Sequence, residues 1–201
     1  MKLHLSSKNF VTAIGVTSAL ALSACTINNN STPVTSSSPS GMMDGEMMGH
    51  QTTLSSADIM FLQMMIPHHE QAIEMSQLAS SNTKNSDVLT LAAQILAAQQ
   101  PEIDLMKKLL TDAGQPLISD HGMGDNGMMG ANDMAELDVA RDKTFDNLYL
   151  QGMIKHHSGA INMARGVTAS SNTEVSTLAK NIVQSQTAEI KKMSALLSAV
   201  S

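Results

Sequence analysis

The sequence predicts an all-α fold, a four-helix bundle made of two repeated helical hairpins with a long Met/Gly-rich crossover between them. Composition is the first observation. Three Phe, one Tyr and no Trp in 201 residues leave Leu, Ile, Ala, Val and Met to fill a core, which favours helices over a β-sandwich. An internal repeat is the second: M-M-I-P-H-H-E-Q-A-I-E-M runs from Met64 to Met75, and M-I-K-H-H-S-G-A-I-N-M from Met153 to Met163. Periodicity is the third. Spacings of three and four place Phe61, Met65, His68, Ala72 and Met75 on one helical face, matched by Tyr149, Met153, His156, Ala160 and Met163. The adjacent row holds Leu62, Ile66, His69 and Ile73, matched by Leu150, Ile154, His157 and Ile161. All four histidines therefore lie on apolar stripes, where each imidazole needs a hydrogen-bond partner or a metal.

Residues 1–24 read as an export signal. Lys2 and Lys8 form a basic start, Phe10 to Leu22 an apolar run too short to span a bilayer comfortably, and Leu22-Ser23-Ala24-Cys25 the end. That ending resembles a bacterial lipobox, which implies cleavage before Cys25, lipidation of its sulfur and attachment to a membrane facing the periplasm or exterior. A plain signal peptide, or a buried apolar helix with a chance cysteine, is the alternative. Cys25 is the only cysteine, so disulfides and thiolate metal sites are excluded once it is lipidated, and any soft ligand must be methionine.

Residues 25–54 read as the lipidated Cys and a disordered Met-rich tether, opening on Asn, Ser, Thr and Pro with little to bury. It leads into G-M-M-D-G-E-M-M-G-H, which carries Met42, Met43, Met47, Met48 and His50. A related string, H-G-M-G-D-N-G-M-M-G, carries His121, Met123, Met128 and Met129. Glycine around paired methionines offers no helical face, and thioether sulfur is a soft ligand that selects Cu(I). The other reading is a low-complexity linker with incidental Met.

The bundle is expected over 55–201, with repeat 1 over about 55–114, the crossover over 115–143 and repeat 2 over about 144–200. A first helix starts near Ser55 or Ser56, with Asp58 in its first turn, and ends near Ser80; Pro67 predicts a kink before His68. After the turn at 80–86, a second helix ends near Ala113-Gly114. Its seam of Ala92, Ile95, Gln99, Glu102, Met106 and Leu109 recurs in the last helix as Ala179, Ile182, Gln186, Glu189, Met193 and Leu196. A Gln and a Glu on an apolar seam point toward the histidines, either as part of a metal site or as a hydrogen-bonded core pair with no ion. Asp133 to Ala140 suit a short helix with Asp133 as its cap. Thr144 caps the third long helix, which runs to about Thr168, and A-S-S-N-T turns into the fourth.

The two His-His units, each followed by Q-x-x-E-I-x-x-M, resemble the domain-of-unknown-function 305 family over about residues 54–200. The resemblance implies a ferritin-like four-helix bundle, often exported. Periplasmic copper-binding proteins with Met-rich segments belong to that family, which implies copper binding and resistance. Where the first copy has Pro67 and Glu70, the second has Lys155 and Ser158, so two sites need not be equal.

The expected function is a lipid-anchored, envelope-located binder of Cu(I), with Cu(II) and Ag(I) as further cargo, that sequesters copper or hands it on. It has no organic cofactor and is not an enzyme. Its partners are copper ions, the lipid bilayer through Cys25 and other copper-handling envelope proteins. Candidate ligands in the bundle are Met65, His68, His69, Met75, Met153, His156, His157 and Met163, with Glu102, Met106, Glu189 and Met193 from the facing seams. Nucleic acid is excluded as a partner by a formal charge of -6 and the lack of a basic patch. A di-iron oxidase is the enzyme alternative, but only Glu102 and Glu189 repeat on the seams and no Glu-x-x-His occurs. A non-metal envelope interaction module leaves the Gly-flanked Met strings unexplained.

Overall fold

The computed structural model describes residues 53–118 and 126–200, and every regular element among them is helical. Four long helices, α1 (Ser56–Asn82), α2 (Ser86–Asp112), α4 (Asp142–Arg165) and α5 (Thr173–Val200), are joined by a short α3 (Ala131–Val139) in the crossover. Consecutive long helices pack as hairpins, α1 with α2 and α4 with α5, and the hairpins meet chiefly through α1 and α4. No helix among the described residues is long and apolar enough to cross a membrane. The export signal, Cys25, the tether and its Met string, and His121 and Met123 lie outside the described residues.

Local chemistry sets the boundaries. Ser55 caps α1 through a reciprocal box in which the Asp58 amide donates to the Ser55 hydroxyl at 3.1 Å and the Ser55 amide to the Asp58 carboxylate at 2.9 Å. Helix α1 continues through Pro67 to Asn82. Asn85 caps α2, and Gly114, at φ +65°, provides the left-handed exit that the Ala113-Gly114 pair predicts. Asn172 accepts from the Glu174 and Val175 amides at 3.1 Å to start α5.

Two boundaries differ from expectation. Gly130, not Asp133, stands at the cap of α3, with Asp133 at its third position accepting from the Gly130 amide at 3.3 Å. Helix α4 begins at Asp142, two residues before Thr144, because the Arg141 carbonyl already accepts from the Thr144 and Phe145 amides. It also stops at Arg165 rather than Thr168, and the Thr168 hydroxyl turns back onto the Arg165 carbonyl at 3.2 Å.

The core has three layers along the bundle. One apolar cluster gathers Phe61, Leu62, Met65, Ile66, Ile103, Met106, Ala160, Ala164 and Ile182. The other gathers Ala72, Met75, Leu91, Ile95, Phe145, Tyr149, Leu150, Met153 and Met193. Between them in sequence on every long helix fall the polar positions: His68 and His69, Gln99 and Glu102, His156 and His157, Gln186 and Glu189. The histidines thus sit at mid-bundle, where apolar layers on both sides keep water out.

Candidate metal centre

All four imidazoles are buried, none more than 1% exposed. His68 and His156, related by the internal repeat, meet across the α1–α4 contact with ring centroids 3.7 Å apart. His69 and His157 lie to either side, 6.4 and 6.3 Å from their neighbours in sequence.

Three of the rings are held in the same way. His69 Nε2 lies 2.8 Å from Glu102 Oε2, His157 Nε2 lies 2.8 Å from Glu189 Oε2, and His68 Nε2 lies 3.0 Å from the Asn126 carbonyl. A carboxylate or carbonyl oxygen can only accept, so each Nε2 carries the hydrogen and Nδ1 is the nitrogen left to ligate. Those three Nδ1 atoms, and both ring nitrogens of His156, are buried with no hydrogen-bond partner in the structure. A histidine that donates one N–H to an oxygen and leaves the other nitrogen free is arranged as metal-ligating histidines are. Burial first, then the neighbouring imidazoles, hold His156 well below its ordinary pKa. For His68 burial again dominates and the Asn126 carbonyl only partly offsets it, leaving the pKa at about 3. Both rings are therefore neutral near pH 7, as ligation requires.

Glu102 and Glu189 reach the histidines, each with its side chain about 20% exposed. Glu102 also lines a groove of about 350 Å³ with Pro101, Leu105, Glu174 and Leu178. Its carboxylate therefore spans from that groove to His69. The two glutamines do not follow: both side-chain polar atoms of Gln99, and Gln186 Oε1, are buried without a partner. Met65, Met75, Met106, Met153 and Met193 are fully buried, and Met163 is half-buried. Among the described residues, no three His, Cys, Asp or Glu side chains already converge on one point as a finished metal cage.

The structure adds residues that the motifs did not single out. The crossover lies directly on the histidine layer. Beyond the Asn126 carbonyl on His68, the Gln71 side chain grips the Met129 backbone from both sides, at 2.8 and 3.0 Å. Gly127, at φ +83°, and Gly159 bring loop and α4 into backbone contact. Gly152 leaves room for the Met129 sulfur, which would stand 2.8 Å from a Cβ there. A signal for this was present, because the repeats disagree at just these places: Met64 answers Gly152 and Gln71 answers Gly159. The second copy keeps glycine where the crossover packs.

The family model described as Domain of unknown function (DUF305) matches residues 58–197. Among solved structures, a DUF305 protein from Streptomyces coelicolor is 33% identical, with a TM-score of 0.69 over 72% of this chain and 94% of that one. CopM in its Cu(I)-bound form is 29% identical, with a TM-score of 0.61 over 71% of this chain and 96% of that one. Its Cu(II)-bound and Ag-bound forms, 31% and 29% identical over the same shares, give 0.59 and 0.58. Among curated proteins, the uncharacterized protein L153 of Acanthamoeba polyphaga mimivirus is 40% identical over 55 residues, 27% of this chain. That stretch spans 36% of the viral protein.

Proposed function

The chain belongs to the DUF305 family, and from that membership and its buried histidine layer we propose that it is an extracytoplasmic copper-binding protein. One observation carries this reading: imidazole nitrogens with no partner, on rings whose other nitrogen is oriented by Glu102, Glu189 or the Asn126 carbonyl. Each imidazole nitrogen left unpaired in an apolar core costs about 1 to 3 kcal/mol, and an ion bound there would remove that cost. Fully buried methionines above and below the layer favour a soft ion over a hard one, and CopM supports the same class, with Cu(I), Cu(II) and Ag. The chain binds and releases its ion rather than turning over a substrate; a di-iron centre would need more carboxylates than Glu102 and Glu189 supply.

Protein purified from an export-competent host grown with copper, iron and zinc together is expected to carry copper, with iron and zinc substoichiometric by elemental analysis. Iron as the dominant metal would sink the reading. The chain is held at the envelope through lipidated Cys25, where it sequesters copper or passes it to other copper-handling proteins. Cys25→Ser is expected to yield a soluble or uncleaved product; a processed variant that still fractionates with membranes would rule the anchor out.

A further inference from the structure

We propose that the groove between α2 and α5 is the port through which a metal cation reaches the histidine layer, with Glu102 at its inner end. This rests on the copper reading and concerns the way in, not a further binding site. His69 is fully buried, and its Nδ1 has no hydrogen-bond partner. The Glu102 carboxylate lies 2.8 Å from Nε2 of the same ring, and Glu102 also lines the groove. A cation entering there meets that carboxylate first and His69 directly behind it.

Charge sets this groove apart. Glu174 stands on the α5 wall as Glu102 does on the α2 wall, and among the described residues no Lys or Arg lines the space. Two carboxylates beside the apolar walls of Leu105 and Leu178 raise the local concentration of cations. Lys108 is near enough to feel Glu174, but its ammonium is engaged by Asp112. Two other cavities carry cations in their walls: Lys84 and Lys143 line the one beside Asp142, and Lys155 lines the one beside Met129.

The internal repeat shows that only one half of the α2–α5 seam is built this way. In the register that matches Glu102 with Glu189, Leu105 answers to Lys192 and Asn181 to Gln94. In the other half of the seam the Lys192 ammonium donates to the Gln94 side chain at 2.8 Å and ties α5 to α2. Leu105 and Asn181 cannot form that tie, and both line the groove of about 350 Å³.

The test transplants the molecule's own tie. Leu105→Lys/Asn181→Gln places the Lys192–Gln94 pair across the groove; the lysine stem keeps the apolar contact of Leu105, and circular dichroism checks the fold. Cu(I) is delivered to the full exported chain from a chromophoric Cu(I) chelator and withdrawn by excess chelator. The phase belonging to the histidine layer is the one absent from His68→Leu/His156→Leu. In the tied variant this phase is expected to slow about tenfold or more, in loading and in release alike, while the affinity changes far less. A blocked port slows both directions, whereas a damaged site loses affinity. Glu174→Gln leaves the groove open and should slow loading alone, by an amount that shrinks as salt is raised. Wild-type rates in the tied variant, or slower loading matched by an equal loss of affinity, overturn the port and leave the copper reading standing. A wild-type chain with no histidine-dependent phase overturns both.

Discussion

Acidifying the metal-free protein from about pH 7 to about 4.5 is expected to remove about 3 kcal/mol of folding stability through His68, with His156 adding to the loss in the same direction. The sign follows from where each proton goes. In the fold both rings are neutral: burial holds His68 at about 3 against an ordinary 6.5 and pushes His156 down in the same direction. Unfolded, both titrate near pH 6.5. The penalty is absent above that value, begins as the unfolded chain takes up protons that the native chain refuses, and continues until pH falls to the folded value. Each ring contributes about 1.4 kcal/mol per pH unit within that window. Against a total stability of about 5 to 15 kcal/mol, this places acid unfolding in the mildly acidic range. Urea titrations across the window measure it. The double variant His68→Leu/His156→Leu is the comparison: it should show a flatter slope, because the native chain no longer refuses protons that the unfolded chain accepts. Equal slopes for variant and wild type would show that the two rings are not the acid-sensitive groups.

The four long helices could be read from the chain because their signals are local and redundant. Apolar spacing, the serines at 55 and 56 with Asp58 in the first turn, Gly114 and the Asn172 turn each agree with the next, and the second copy repeats the first. That Glu102 and Glu189 face the histidines was also readable, since a carboxylate on an apolar seam must find a partner and the seams repeat in step, but which histidine each meets, His69 and His157, came only with the fold. The loop against the histidines was not. Which side of a bundle a crossover covers depends on contacts between distant segments, and a Gly-rich string carries no periodicity to reveal them. The stop of α4 at Arg165 was missed for a related reason, because the turn after Gly166 is held by side-chain bonds to backbone, such as Ser176 to the Thr168 carbonyl at 2.7 Å. The disagreement between the two copies carries the trace of the crossover loop. Gly152 and Gly159 stand seven residues apart on α4, about two turns, and so mark a face that something must approach closely.

Gly159→Ala is accordingly expected to destabilise the protein, although alanine in a helix interior normally stabilises by up to about 1 kcal/mol relative to glycine. The space decides the sign. A Cβ on residue 159 would fall inside the Asn126 carbonyl, and the neighbouring atoms are the Asn126 and Gly127 backbone, which cannot swing aside as a flexible side chain would. Gly127, at φ +83°, also lies against α4, where a Cβ on it would stand 2.4 Å from the Lys155 carbonyl oxygen, so the loop has no room to shift along α4. The crossover must lift, and the bond from His68 Nε2 to Asn126 goes with it. Overpacking and the lost bond together exceed the propensity gain, for a net loss of about 2 kcal/mol. For a bundle of this size that lowers Tm by about 4 to 8 °C. Gly166→Ala is the control, since its φ of −63° suits any residue and its nearest neighbour would stand 3.4 Å away. It should change Tm little. Amide exchange locates the effect. The Met129 amide, protected in the wild type by Gln71 Oε1 at 2.8 Å, should exchange faster in Gly159→Ala while the α2 and α5 amides stay protected. The His68 ring nitrogens should report release from the Asn126 carbonyl. Wild-type Tm and unchanged protection of Met129 in that variant would mean that the loop does not rest on Gly159, and that the carbonyl orienting His68 comes from elsewhere.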